Sequence, residues 1–328
     1  MQHVPEVSDA DSDDRLDPDL VPIVLAAREK IALRPPLHSV TPEQMRVRAK
    51  AEFVPWNADP VELRRVTDFT LPAASGAKAI PVRLYEPDSR DSDGCVVHFH
   101  GGGWTIGDLD LEDAPLRWMA RAGRFAVLSV DYRLAPEHRF PAALEDGEAV
   151  FRLMGTIGTP VDADPDRIVL SGMSAGANIA LGTALRLRDA GGRQPCGLAL
   201  QYGAYSDQET TSSVRCFGNG RYGLSLASMR YFWENYAGPA DGPRHPHAVP
   251  LKADLAGLPP VFMNHAGMDV LADDSLLLAE ALGKAGVLVE HKAYAGAIHG
   301  FTQYVKISRL AQTALEETAA AIAVMLKR

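Results

Sequence analysis

Six short apolar runs, each separated from the next by a helix-like segment, limit the fold of this chain more than any other feature. Runs that are apolar throughout are typical of parallel strands, because helices cover both faces of a parallel sheet. Two earlier segments, 63–71 and 79–85, alternate apolar and polar residues and predict an antiparallel start to the sheet. The sequence therefore predicts an α/β fold with a mostly parallel eight-stranded sheet. The six apolar runs are residues 96–99, 125–130, 167–170, 197–200, 261–264 and 287–290.

Helices are predicted between and before these strands. Thr41-Pro42-Glu43-Gln44 matches a helix N-terminus with a capping box and a proline in the first turn. The connection from the strand ending near Tyr202 to the one starting at Val261 spans about sixty residues, and a connection of that length usually carries function. The helices are expected at residues 21–33, 111–122, 142–154, 175–189, 225–236, 273–285 and 302–326.

A cap over the sheet is the predicted role of two segments. We expect residues 1–55 and the insertion 205–250 to form a helical cap, and residues 56–204 and 251–328 to form the α/β core. The first twenty residues are rich in aspartate and poor in apolar side chains, so we expect them to be a solvated tail.

Composition excludes several classes of partner. The 328 residues include 42 acidic and 33 basic side chains, and the net charge of −9 opposes binding to nucleic acid. No apolar run approaches the roughly 18 residues of a membrane span, and the amino terminus lacks the pattern of a secretory signal. The three cysteines form no CxxC pair and predict no disulfide framework. We therefore expect a cytoplasmic protein without a membrane span or nucleic-acid partner.

A G-x-S-x-G motif at residues 172–176 stands between a predicted strand and a predicted helix. In this context the serine occupies a sharp, strained turn that exposes its hydroxyl, as in a nucleophile elbow. The alternative is an ordinary glycine-rich turn, but the strand before the motif and the helix after it favour Ser174 as a nucleophile.

A serine nucleophile needs a base that a carboxylate orients. Asp269 follows one later strand and His299 follows the next, so both should emerge at the same sheet edge as Ser174. His291 is the strongest rival for the base, and Asp273 and Asp274 are alternatives for the acid. The sequence favours a triad of Ser174, Asp269 and His299.

Three successive glycines follow an early core strand, in His98-Phe99-His100-Gly101-Gly102-Gly103-Trp104. Backbone N–H groups of Gly102, Gly103 and Ala175 are predicted to form an oxyanion hole for a negatively charged oxygen. The alternative, a nucleotide-binding loop, lacks the required Lys-Ser, Lys-Thr or G-x-G-x-x-G pattern. His98 and His100 could share a metal on one strand face, but no third ligand is near in sequence. We predict no metal and no cofactor.

The chain resembles the bacterial hormone-sensitive-lipase-like (family IV) carboxylesterases of the α/β-hydrolase fold. The resemblance rests on HxHGGGW at 98–104, DYRLAPE at 131–137, GMSAGAN at 172–178, Asp269 to Leu271, and His299-Gly300-Phe301. It implies a serine esterase that acts on short- or medium-chain acyl esters beneath a cap, and it leaves a homodimer open. Met173, where the family usually has Asp or Thr, and Ala177, where it often has Gly, leave the subfamily open.

Two kinds of alternative remain at this point. An amidase or lactonase could use the same triad, and a non-catalytic binding protein could share the fold, as in the plant gibberellin receptors that lack the working histidine.

For the substrate pocket, five side chains are predicted to line an apolar acyl site, with plain core packing as the alternative. They are Trp104, Met173, Tyr205, Phe217 and Tyr222.

Overall fold

A computed structural model of the protein describes residues 13–33, 39–73, 78–156, 161–239 and 244–327. Eight strands form one sheet in these residues, in agreement with the prediction from the sequence. They are β1 (Arg65–Leu71), β2 (Ile80–Glu86), β3 (Cys95–Phe99), β4 (Ala126–Val130), β5 (Ile168–Met173), β6 (Gly197–Gln201), β7 (Val261–Met268) and β8 (Val289–Ile298).

The strand order across the sheet is β1-β2-β4-β3-β5-β6-β7-β8. The pairs β1–β2 and β2–β4 are antiparallel, and every later pair is parallel. Strands β3, β4, β5 and β6 are buried at every residue, as their mostly apolar sequences predicted. The predicted α/β-hydrolase architecture is confirmed.

Helices cover both faces of the sheet. In the core they are α3 (Asp113–Gly123), α4 (Ala142–Leu153), α5 (Ala175–Asp189), α8 (Ala272–Lys284) and α9 (Arg309–Met325); outside it lie α1 (Val21–Ala32), α2 (Pro42–Phe53), α6 (Ser212–Phe217) and α7 (Leu226–Ala237). Alternate strand residues face opposite layers. Val96, Val127 and Val169 pack with α3 and α9, whereas their neighbours along each strand pack with α4, α5 and α8.

Two predictions about elements need correction, and one helix was missed. The segment 302–326 is not one helix: a 3-10 turn spans Phe301–Tyr304, and α9 begins only at Arg309, where the Ser308 side chain caps its N-terminus. Strand β8 starts two residues later than the predicted run 287–290 and extends to Ile298. It lies at the edge of the sheet, and its residues beyond 290 do not continue the apolar run. Helix α6 was not predicted.

The acidic amino-terminal segment is not a solvated tail over residues 13–20. The Asp13 carboxylate accepts hydrogen bonds from Arg28 at 2.7 and 3.0 Å, Arg221 at 2.8 Å and the Tyr222 hydroxyl at 3.0 Å. Leu16 and Leu20 are buried. Residues 13–20 therefore pack against the 205–250 insertion and the core, whereas the prediction for residues 1–12 lies outside the described residues.

The capping box predicted at Thr41 is confirmed, since the Thr41 hydroxyl accepts the Gln44 N–H and the Gln44 side chain accepts the Thr41 N–H. None of the helices in the described ranges is long and apolar enough to cross a membrane.

Candidate active site

Ser174 lies on a sharp turn between β5 and α5. Its backbone angles, φ 54° and ψ −120°, fall in a region that residues with a side chain rarely adopt. Its N–H donates to the carbonyl oxygen of Gln201 at 2.9 Å, which ties the turn to β6. The hydroxyl caps no helix. A strained backbone held on both sides therefore presents the Ser174 side chain above the sheet edge.

The two glycines of the motif make this turn possible. A Cβ added to Gly172 would lie 2.2 Å from the Gly176 backbone, and one added to Gly176 would lie 1.9 Å from the carbonyl oxygen of Phe99 at the end of β3. A side chain at Gly172 would force the end of β5 away from the start of α5, and one at Gly176 would force the start of α5 away from β3. The G-x-S-x-G spacing thus reflects close approach of three backbone segments.

Ser174, His299 and Asp269 form a chain of hydrogen bonds. The Ser174 Oγ is 2.8 Å from His299 Nε2, and His299 Nδ1 is 2.6 Å from Asp269 Oδ2. Asp269 directly follows β7 and His299 directly follows β8, so both stand at the carboxyl edge of the parallel strands. The three residues named from the sequence are therefore linked through His299, which contacts both of the others.

The surroundings of Asp269 and His299 fix their side chains. The second carboxylate oxygen of Asp269 accepts the Leu271 N–H at 3.1 Å, and the residue is 2% exposed. The ring of Tyr202 packs edge-on against the His299 ring with centroids 5.4 Å apart, and its hydroxyl bonds to Thr302. Burial raises the pKa of the Tyr202 phenol well above its ordinary value, so it stays neutral beside the imidazole.

The rival acid and base residues have other partners. Asp273 accepts the Ser213 N–H at 2.9 Å, and Asp274 accepts the N–H groups of Tyr205 and Ser206 at 2.7 and 2.8 Å. His291 Nε2 is 2.8 Å from Nδ1 of His265. The two aspartates tie the start of α8 to residues 205–213, and the two histidines join β7 to β8, so none of these hydrogen bonds involves Ser174.

Three backbone N–H groups beside Ser174 have no hydrogen-bond acceptor within the described part of the chain. They belong to Gly102, Gly103 and Ala175, and all three residues line the same cavity as Ser174. Gly102 and Gly103 adopt φ of 113° and 56°, which favour glycine. The N–H of Ala175 is at the start of α5, where the helix dipole is positive. This arrangement can bind a negatively charged oxygen.

The HxH pair at 98 and 100 has structural partners. His98 Nε2 is 2.8 Å from Glu112 Oε2, and His100 Nδ1 is 2.7 Å from the Gly101 carbonyl oxygen, to which it donates. Across the described ranges, no group of three or more His, Cys, Asp or Glu side chains is arranged to hold a metal ion.

A cavity of about 440 Å³ opens above Ser174. Its floor carries the Ser174 and His299 side chains, and its walls are mostly apolar. The walls come from α1, α2 and the 205–250 insertion as well as from the core. Among the lining side chains are Ile23, Met45, Phe53, Trp104, Tyr202, Tyr222, Met229 and Phe232.

Two of the five predicted pocket residues line this cavity. Trp104 and Tyr222 do so, but Met173, Tyr205 and Phe217 do not, and that part of the prediction is wrong. The Met173 sulfur lies 3.5 Å from the Thr302 hydroxyl. Tyr205 is fully buried in the main core, and Phe217 packs behind Tyr222 with ring centroids 5.8 Å apart.

Several lining residues were not named from the sequence. Met45, Ala49 and Phe53 recur at helical spacing along α2, and this apolar face could have been found by periodicity. Phe232 lies on the predicted helix of the insertion, where nothing distinguishes it from core aromatics. Glu112 carries no signal in the sequence that separates it from other acidic residues.

The sequence and the fold are both similar to known ester hydrolases. A family model described as the alpha/beta hydrolase fold matches residues 96–303. Carboxylic ester hydrolase LipN of Mycobacterium tuberculosis is 35% identical over 270 residues, which cover 80% of this chain and 71% of LipN. Carboxylesterase NlhH of the same species is 37% identical over 257 residues, covering 76% and 79%.

A solved structure supports the same relationship. The ester hydrolase from the metagenome of Lake Arreo, in complex with a derivative of bipyridine phosphonate, aligns with a TM-score of 0.87 and 32% identity over 95% of this chain and 100% of that one. With a family match over most of the chain, the protein belongs to the hormone-sensitive-lipase-like (family IV) ester hydrolases of the alpha/beta hydrolase fold.

Proposed function

We propose that this ester hydrolase cleaves short- to medium-chain acyl esters through an acyl-enzyme intermediate on Ser174. The observation that carries the proposal is the hydrogen-bonded chain from Ser174 through His299 to Asp269, with contacts of 2.8 and 2.6 Å. A neutral serine hydroxyl is a weak nucleophile, and a base within hydrogen-bond reach activates it. The walls of the cavity are compatible with an apolar acyl chain of limited length.

The reaction proceeds in two halves. His299 takes the proton of the Ser174 hydroxyl as its oxygen attacks the ester carbonyl, and the buried Asp269 stabilises the imidazolium that forms. The tetrahedral oxyanion accepts hydrogen bonds from Gly102, Gly103 and Ala175. The alcohol leaves with the proton from His299, and water then repeats the sequence on the acyl-enzyme.

Each oxyanion donor contributes about 3 to 4 kcal/mol of transition-state stabilisation in enzymes where one has been removed. Backbone donors suit this task because a rigid turn holds them in place before the charge develops. The free N–H groups of Gly102, Gly103 and Ala175 support their assignment as these donors.

Fluorophosphonate labelling tests the nucleophile. We expect the wild-type protein to be labelled and to hydrolyse p-nitrophenyl butyrate, and the Ser174→Ala variant to lose both properties. Equal labelling of the two proteins, or an unlabelled wild type, would overturn the proposal. Activity on p-nitrophenyl esters of increasing acyl length measures the chain-length limit of the cavity.

Matched ester, amide and lactone substrates separate the proposed carboxylesterase from an amidase or a lactonase, since all three share the acyl chemistry. The non-catalytic alternative is disfavoured because the histidine is in contact with the serine. A cap formed by residues 1–55 and 205–250, a cytoplasmic location and a homodimer stay proposals that rest on the sequence.

A further inference from the structure

Glu112 is a buried carboxylate beside Ser174 that the reaction above does not use. It immediately precedes α3, where its side chain caps no backbone N–H of the helix, and it is 6% exposed. Both of its oxygens have partners: Oε2 is 2.8 Å from His98 Nε2, and Oε1 accepts the Gly101 N–H at 2.8 Å. It also lines the cavity.

A buried carboxylate without a lysine or arginine partner is costly, so it needs a compensating set of hydrogen bonds. His98 supplies one of them and is itself fully buried. Its other ring nitrogen lies 3.3 Å from the Ser171 hydroxyl on β5. The network Ser171–His98–Glu112–Gly101 therefore joins the strand that leads to the nucleophile to the glycine loop, which consists of Gly101, Gly102 and Gly103.

The bonds around Gly101 fix two successive peptide planes. The first plane contains the His100 carbonyl, which accepts the Tyr132 hydroxyl at 2.8 Å, and the Gly101 N–H, which donates to Glu112. The second contains the Gly101 carbonyl, which accepts the His100 ring N–H, and the N–H of Gly102. Since a peptide unit is planar, holding the Gly101 carbonyl also sets the direction of the Gly102 N–H.

Glycine has more backbone freedom than any other residue, so three glycines in a row do not hold a geometry by themselves. We propose that Glu112, held by His98, is a positioning residue that orients the oxyanion donors through its hydrogen bond to the Gly101 N–H. This inference rests on the proposed function, because it assigns Glu112 a task in the same reaction.

The role depends on an acceptor at Glu112 and not on its charge. A glutamine at this position keeps an oxygen for the Gly101 N–H, and its NH₂ group can donate to His98 Nε2. Neutral imidazole has one donor and one acceptor nitrogen, so His98 can adopt the tautomer that this arrangement needs. Alanine and methionine provide no such acceptor, and methionine keeps most of the side-chain volume.

The test compares Glu112→Gln, Glu112→Ala and Glu112→Met with Asp113→Ala. Asp113 is the neighbouring residue and similarly buried, but it contacts Arg83, Arg117 and Tyr85 and no residue of the glycine loop. Steady-state hydrolysis of p-nitrophenyl butyrate gives kcat and KM, and thermal unfolding followed by circular dichroism reports folding.

We expect kcat to fall about 10- to 100-fold in Glu112→Ala and Glu112→Met with KM changed less than about 3-fold, because misplaced donors affect the transition state more than the bound ester. Glu112→Gln should keep kcat within about 3-fold of the wild type, and Asp113→Ala should lose stability but not kcat. Glu112→Met covers the case in which the alanine variant does not fold.

Wild-type kcat in folded Glu112→Met overturns the proposal, and so does a Glu112→Gln enzyme as slow as Glu112→Met. A drop in kcat of the same size in Asp113→Ala overturns it as well, since the effect would then be general destabilisation. These results differ from a failure of the proposed function, in which the wild type itself shows no Ser174-dependent hydrolysis.

Discussion

Replacing Gly103 by alanine tests two points. The first is whether the N–H of Gly103 belongs to an oxyanion hole, and the second is whether Phe232 of the insertion limits the space beside Gly103. Gly103 has φ of 56°, and a Cβ at this position would lie 2.3 Å from Cγ of the Phe232 ring on α7. The shortfall from an ordinary contact of 3.4 Å is about 1 Å. Because the ring is buried, the loop or α7 must shift by a similar distance.

Two costs follow from this geometry. An alanine in the left-handed region costs about 1–2 kcal/mol of stability. The clash adds about 1–3 kcal/mol of overpacking. A donor displaced by about 1 Å loses much of its effect on the oxyanion, so we expect kcat/KM for p-nitrophenyl butyrate to fall about 100-fold.

Gly191→Ala is the matched control. Gly191 has φ of 64°, and a Cβ there meets nothing within 4 Å. It shares the backbone strain without the clash, so urea denaturation should show a loss of about 1–2 kcal/mol, while kcat/KM stays at the wild-type value.

Phe232→Ala separates the clash from the strain. In this background the added methyl group has room, so Gly103→Ala should reduce kcat/KM less than it does in the wild type, as a double-mutant cycle measures. Folded Gly103→Ala with unchanged kcat/KM would refute the reasoning. An equal loss in both backgrounds would show that Phe232 does not transmit the effect.

Two further predictions concern stability. Burial raises the pKa of the Asp274 carboxyl from its ordinary 3.8 to about 7. Between these two pKa values the folded protein holds a proton that the unfolded chain releases, so the stability of the wild type falls as pH rises from 3.8 to about 7. Asp274→Asn keeps an acceptor and removes the titration, so its urea stability should fall less than that of the wild type between about pH 5 and about pH 8; an equal fall contradicts this. Asp13→Ala removes hydrogen bonds to Arg28, Arg221 and Tyr222. Because these groups are partly exposed, we expect a loss of about 1 kcal/mol of unfolding free energy in urea denaturation. We also expect a higher KM, since Tyr222 lines the cavity and loses its hydrogen bond to Asp13. If both values are unchanged, the Asp13 contacts do not hold the amino-terminal segment and the insertion together.

The sheet and the position of the triad could be predicted because each depends on local pattern. Continuous apolar runs specify buried parallel strands, and the ends of parallel strands meet at one edge, so Ser174, Asp269 and His299 were named before any contact was known. Edge strand β8 was predicted too short because the polar residues His291 and Lys292 end the apolar run on which the prediction relied. The start of α9 was missed because the Ser308 cap was not recognised.

The cavity walls could not be predicted at the level of single residues. Which aromatic side chain faces a cavity and which faces the core depends on how α1, α2 and the insertion pack on the sheet. Tyr222 and Phe217 are five residues apart, yet only Tyr222 lines the cavity. Glu112 is the strongest case, because its importance arises from its contacts with His98 and Gly101, which no local pattern encodes.

Packing of α7 on the glycine loop has a consequence for how such an enzyme can change its preference during evolution. One part of the walls comes from α1 and α2, which are remote in sequence from the reacting groups, so mutations there can reshape the cavity and leave the chemistry intact. The aromatic side chains of α7 differ: Phe232 contacts Gly103, and Tyr236 stacks on Trp104 with centroids 4.6 Å apart. Selection for activity on a new ester is therefore expected to accumulate changes in α1 and α2 and to spare α7.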